Sequence, residues 1–289
     1  MISDITLGQY FPGNSILHRL DPRTKIILSI FYIVALFVAD TPVAFAFMLA
    51  ITLIMVLISK ISTKVVIKGI KPIIIIVVFT SLLNVFLTVG TGEPLVSFWI
   101  INIYLEGIIR AVFMSVRVIL LIVGTSMLLT YTTSPINLTD GLESLLSPLK
   151  HIGVPVHSFA MMMSIALRFI PTLIEETEKI MNAQKSRGAD FTSGGIIKRA
   201  KALIPILIPL FVSSFKRADE LATAMECRCY RGDNGRTKLV KLEFHLADLV
   251  CIISFVLILG AVICSNVIPP LFDPNYVIYD VLFYKLPRI

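Results

Sequence analysis

From Leu246 to Ile268 the chain reads LADLVCIISFVLILGAVICSNVI, with Asp248 its only charged residue. A bilayer core about 30 Å thick takes about 20 apolar residues of helix, and every backbone polar group inside it must be satisfied internally. Four more stretches qualify or come close, from about Thr24 to Ala39, Pro42 to Ser59, Gly69 to Val89 and Gly107 to Tyr131. The whole composition agrees: 56% of the 289 residues are hydrophobic and only 16% charged, against roughly 25% charged in soluble domains. The expectation is an all-α integral membrane protein of about five transmembrane helices. The first span is short, and Lys25 is expected to snorkel to the membrane surface at its end.

The net charge of +7 serves here to orient the loops, and no nucleic-acid partner is inferred from it. Arg19, Arg23 and Lys25 precede or open the first span, and Lys60, Lys64, Lys68 and Lys71 lie between the second and third. Fifteen more basic residues lie between the fourth and fifth, from Lys150 to Lys241, while Asp40–Pro42 and Gly90–Glu106 have none. The alternation puts the N-terminus inside and the C-terminus outside, with Lys285 and Arg288 running against it. Three regions follow: residues 1–131 with four spans, 132–245 as a cytoplasmic helical platform, and 246–289 with the last span and the tail.

The platform is amphipathic. Phe159, Met163, Ala166, Ile170, Leu173 and Ile180 fall at spacings of mostly three and four, with EETEK at 175–179 on or beside the polar back. This predicts a helix from Val156 to Arg187, kinked near Pro171. A second reads Ile204, Leu207, Phe211, Phe215, Ala218, Ala222, Met225 and Cys229. Its apolar core ALIPILIPLFVSSF is 14 residues long, too short to span, and is expected against other helices or the membrane surface. A shorter helix, Pro135 to Lys150, precedes both. The economical arrangement packs the two long helices on each other.

Both long helices end alike. Ala183 stands four residues before Arg187 in NAQKSRGAD, and Ala224 four before Arg228 in TAMECRCYRGD. A cation in the last turn suits the negative end of a helix, and a glycine such as Gly188 stops it. That accounts for one arginine; two copies at matching spacing suggest a pair of prongs, because a guanidinium is a permanently charged, rigid fork of donors.

The N-terminal LGQYFPGNSILHRLDPRTK, with SRG at Ser186–Gly188 and CRC at Cys227–Cys229, resembles the T components of energy-coupling factor transporters, the EcfT, CbiQ and BioN group. The likeness covers essentially the whole chain. It implies a scaffold in a prokaryotic cell membrane, part of an ABC-type importer of vitamins or transition-metal ions. The partners implied are two cytoplasmic ATPase subunits of the EcfA type, which hold the ATP and Mg, and a membrane S component that carries the substrate. This chain would be non-catalytic and hold no cofactor. Arg187 and Arg228, flanked by Ser186, Gly188, Cys227 and Cys229, would dock into the two ATPases. Serine and two cysteines stand where the family's motifs have alanine and glycine. Because Cys229 lacks the freedom of glycine, the second helix is expected to run on to Gly232, with Arg231 as a supporting prong.

Other constellations carry less. CRC lacks the further ligands that a zinc site needs. His18, Asp21 and Arg23 read as a helix start at Asp-Pro more simply than as an acid–base pair. No G-x-x-x-x-G-K-[ST] loop occurs. The methionines at 161–163 read as core filling or as an adaptable surface. Arg110 and Arg117, seven apart in the fourth span, would line a substrate path if the chain were instead a secondary transporter.

Overall fold

The computed structural model describes residues 10–39, 41–88, 96–98, 101–189, 191, 195–232 and 242–267. They form two compact units, one of residues 10–134 and 242–267, the other of residues 135–232. Apart from a single two-stranded hairpin, the described elements are helical.

The first unit begins with one turn, α1 (Ile16–Arg19), whose N-cap Ser15 accepts from the His18 amide. Helix α2 (Pro22–Val38) starts as Asp-Pro predicts: Pro22 takes the first helical position and the Asp21 carboxylate accepts from Arg23 N at 2.8 Å. Its 17 residues reach the lower end of what a bilayer core requires. Helix α3 (Pro42–Ser59) repeats the device with Thr41 and Pro42, and stops at Lys60, which is left-handed at φ 56°. The expected third span is not one straight helix. It divides into α4 (Thr63–Ile70) and α5 (Ile74–Leu87), bent by 55°. Pro72 lies in the break and has no N–H to carry the helix ladder through. Strands β1 (Val96–Phe98) and β2 (Ile101–Ile103) pair antiparallel with Ser97 opposite Asn102. Helix α6 (Leu105–Thr125) then runs into a π-helical turn at Ser126–Tyr131. The last helix of this unit, here α10, covers Leu246–Val267.

The core joins Leu28, Tyr32 and Leu36 of α2 to Met48 of α3, Leu120 and Leu128 of the fourth span, and Val262 of α10. Tyr32 is fully buried, donates to Leu120 O at 2.9 Å and meets Thr52 Oγ1 at 2.8 Å, so its hydroxyl is satisfied inside the bundle. Gly124 makes room for it: a Cβ there would strike the Tyr32 ring. The outer faces are apolar and exposed, as at Leu57, Ile75 and Leu257, which suits lipid contact.

The second unit holds α7 (Pro135–Leu146), a 3₁₀ turn at Ser147–Ile152, then α8 (Val156–Ser186) and α9 (Ile196–Cys227). The two long helices run 31 and 32 residues, about 47 Å each. Helix α8 continues through Pro171, and α9 through Pro205 and Pro209. His157 at the start of α8 meets Glu143 of α7 at 2.9 Å. Among the described residues four helical stretches are long and apolar enough to cross a membrane: Pro42–Ser59, Gly107–Tyr131, Leu246–Ser265 and also Val156–Ser186; counting the bent pair as one span makes up to five. The sequence reading placed Val156–Ser186 in the platform. Its first half is apolar enough to span, while Glu175, Glu176, Glu178 and Lys179 make its second half polar.

Candidate functional site

The ends of α8 and α9 are the same structure built twice. In α8, Arg187 is the C-cap and Gly188 is left-handed at φ 87°. Gly188 N donates to Lys185 O at 2.9 Å, and Ala189 N to Gln184 O at 3.0 Å. In α9, Arg228 is the C-cap and Cys229 is left-handed at φ 56°. Cys229 N donates to Glu226 O at 2.8 Å, and Tyr230 N to Met225 O at 3.0 Å. Both patterns are Schellman closures, and each puts an arginine at the same position of it.

This corrects the expectation that α9 runs on to Gly232. The helix ends at Cys227, because Cys229 takes the left-handed conformation that Gly188 takes in α8. The two reverse bonds of the closure and the exposed position offset a strain of about 1–2 kcal/mol for a residue with a Cβ. Arg231 therefore lies beyond the closure, not on a further turn of helix.

Ser186, Arg187, Gly188, Cys227, Arg228, Cys229 and Arg231 are all exposed. Neither the Arg187 nor the Arg228 guanidinium has a partner among the described residues. Each is a free fork at the end of a long rigid helix.

The two helices are held to each other at Glu176 and Arg217. Arg217 Nη2 donates to Glu176 Oε2 at 3.1 Å, Ser213 Oγ donates to Glu176 Oε1, and the guanidinium lies 6.0 Å from the Phe169 ring centre. Arg187 stands eleven positions after Glu176, and Arg228 eleven after Arg217. Each prong thus stands about 16 Å along its helix from the shared contact. The sequence reading paired the arginines but missed this clasp; EETEK marked the polar back, and nothing local paired it with Arg217.

In the first unit, two residues behave otherwise than expected or had drawn no notice. Lys25 does not snorkel. It is 2% exposed, and its Nζ donates to Thr132 O at 2.9 Å, Thr133 Oγ1 at 3.1 Å and His18 O at 3.3 Å. Three oxygens close at hand take the place of water. Asp248, wholly buried, accepts from Asp21 N and from His245 N, both at 2.9 Å. It reaches back to the amide before α10 as the acid of a capping box does, and also fastens the start of α2.

Arg117 donates to Ala39 O at 2.7 Å and lies 5.1 Å from the Phe45 ring centre. It is engaged within the bundle, which argues against a lining role in a substrate path; Arg110 is half-buried. Among the described residues no cluster of His, Cys, Asp and Glu could hold a metal ion, and the four cysteines are free thiols.

A bundle of apolar helices, with a pair of long amphipathic helices held to each other, defines a multi-pass membrane protein with an exposed, two-pronged helical unit. Residues 13–239 match the CbiQ family, described as cobalt transport protein. The energy-coupling factor transporter transmembrane protein EcfT of Clostridium kluyveri is 52% identical over 267 residues, covering 92% of this chain and 98% of that one. EcfT of Ruminiclostridium cellulolyticum is 56% identical over 250 residues, 86% of this chain and 92% of its own. EcfT of Bacillus subtilis is 46% identical over 258 residues, 89% and 97%. The chain belongs to the CbiQ family of transport proteins, in its EcfT branch, and is a transmembrane component of an energy-coupling factor transporter.

Proposed function

We propose that this chain is the non-catalytic coupling subunit of the transporter. It joins two ABC ATPase subunits, which carry ATP and Mg, to a membrane S component that binds a vitamin or a metal ion. The observation that carries this reading is the pair of matched helix ends. Two exposed arginines, each at the C-cap of an identical closure, stand equally far from one interhelical clasp. Two like subunits require two like contacts, and a lever with equal arms delivers their motion equally to both helices. Guanidinium forks suit grooves lined by carboxylates and carbonyls.

The apolar surface of α9 supports the second half of the reading. Ile204, Leu207, Ile208, Phe211 and Phe215 are exposed within a helix that also carries Lys216 and Glu220. An S component gripped there would reorient with the helices. The distribution of lysine and arginine supports a cytoplasmic N-terminus and coupling helices, with the C-terminus outside.

The test is co-purification with candidate ATPase subunits. Arg187→Glu and Arg228→Glu should each weaken capture, and the double variant should abolish it together with ATP-driven uptake. A double variant that still holds both ATPases and couples uptake would reduce the arginines to helix caps and defeat the proposal.

A further inference from the structure

Lys60, Lys64, Lys68 and Lys71 fall within twelve residues, and residues 41–88 contain no Asp or Glu. All four lysines are exposed, and none has a partner among the described residues. Lys64, Lys68 and Lys71 follow at spacings of four and three, so along α4 and its C-cap they form one stripe. The opposite stripe is anchored: Val65, Val66 and Ile70 pack on Met127 and Tyr131. At Gly69 the approach is so close that a Cβ would strike the Tyr131 hydroxyl. This contact fixes the direction of the lysines, away from the fourth span.

Beyond the 55° bend, α5 exposes Ile75, Ile76, Phe79 and Leu82. A short helix with an anchored apolar side, an outward lysine ridge and a lipid-facing span attached at a bend belongs at headgroup depth. Placing positive charge on one side of a membrane requires only that lysines be there. It does not require them on one stripe of a helix pinned by its other side.

We propose that the Lys60–Lys71 corner is a binding site for anionic phospholipid headgroups in the adjoining leaflet. Four uncompensated ammonium groups supply the attraction. Beside Lys60 a cleft of about 380 Å³, lined also by the exposed Ser62 and Asn14, offers neutral donors for the same phosphate. The site is continuous with the apolar surface of α5, which receives the acyl chains; a free anion would have no use for that surface. Through Gly69 and Tyr131, a bound lipid steadies the end of the fourth span. The inference does not depend on the docking role of Arg187 and Arg228.

Native mass spectrometry of the full chain in detergent tests it, with dioleoylphosphatidylglycerol as probe, dioleoylphosphatidylcholine as neutral control and inorganic phosphate as headgroup alone. The wild type should retain the anionic lipid in preference to the neutral one, and phosphate should not displace it. K64Q/K68Q/K71Q should bind it roughly 100-fold more weakly, while K64R/K68R/K71R should retain it. If the triple Gln variant does not insert, K68Q alone should show about a fivefold loss, and salt should weaken the wild-type association. Equal retention of both lipids, full retention by the glutamine variants, or displacement by free phosphate would each overturn the proposal.

Discussion

Glu176 of α8 accepts from two successive turns of α9, from Ser213 on one oxygen and from Arg217 on the other. A single carboxylate therefore ties one turn of α8 to two of α9. The Arg217 and Glu176 side chains are 32% and 23% exposed, so solvent screening limits the ion pair to about 1 kcal/mol or less. Its consequence is geometric. In a double-mutant cycle of Glu176→Gln and Arg217→Met, thermal stability of the assembled transporter should show a coupling of about 0.3–1 kcal/mol. Capture of the ATPases should persist while uptake per ATP falls. Strict additivity, with uptake unchanged, would show that the two side chains act independently.

The end of α9 separates Arg228 from Arg231. Arg228 is the C-cap, and Arg231 follows the closure. If the arginines dock as a matched pair, Arg228→Ala should weaken ATPase capture about as much as Arg187→Ala, and Arg231→Ala distinctly less. Pull-down against a concentration series of ATPase gives the comparison. An Arg231→Ala loss equal to that of Arg228→Ala would make the second prong a cluster and break the symmetry of the two ends.

Cys229 and Gly188 occupy equivalent left-handed positions, at φ 56° and 87°. The strain at Cys229, about 1–2 kcal/mol, is partly offset by the smaller unfolded-state entropy of a residue with a Cβ. Cys229→Gly should therefore raise stability by up to about 1 kcal/mol, and Gly188→Ala should lower it by about 1 kcal/mol or more. No neighbouring atom lies within 4 Å of a Cβ built at Gly188, so backbone conformation alone is tested. Thermal melting in detergent reads both. A destabilising Cys229→Gly would mean that the thiol contributes contacts beyond its place in the turn.

What the chain announces and what it conceals divide by distance along the sequence. Helix α8 was legible to within a residue or so at Ser186, and α9 as a helix, because apolar spacing of mostly three and four runs through about six turns of the first and seven of the second. The arginines were legible because they recur. The end of α9 was misread, since a left-handed cysteine has no local signal, and the surrounding closure is what holds it there. The break at Lys71–Ile73 had a signal in Pro72, overridden by the long apolar run around it. The bond from Asp21 N to Asp248 Oδ1 joins residues 227 apart, and a lone acid at the head of an apolar run reads only as a helix start. Lys25 showed the converse error: beside a span end, a lysine is expected to reach for water, and here the fold supplies oxygens instead.

Lys25 and Asp248 give the sharpest stability test. Both are buried, and the carboxylates of Asp248 and Asp21 act on the Lys25 charge. Lys25→Met would leave the Thr132 carbonyl without its donor and the two acids without a buried cation, at a cost of about 2–4 kcal/mol. Asp248→Asn keeps only one good acceptor oxygen for the Asp21 and His245 amides, and should cost about 1–3 kcal/mol. Because the double variant removes opposite charges together, its loss should fall short of the sum by at least about 0.5 kcal/mol. Thermal midpoints of the purified transporter, with yields of folded protein, would measure all three. A Lys25→Met variant that melts with the wild type would show that the ammonium group is not held in this buried knot, and the account of how α2 and α10 are fastened at their N-termini would then rest on Asp248 alone.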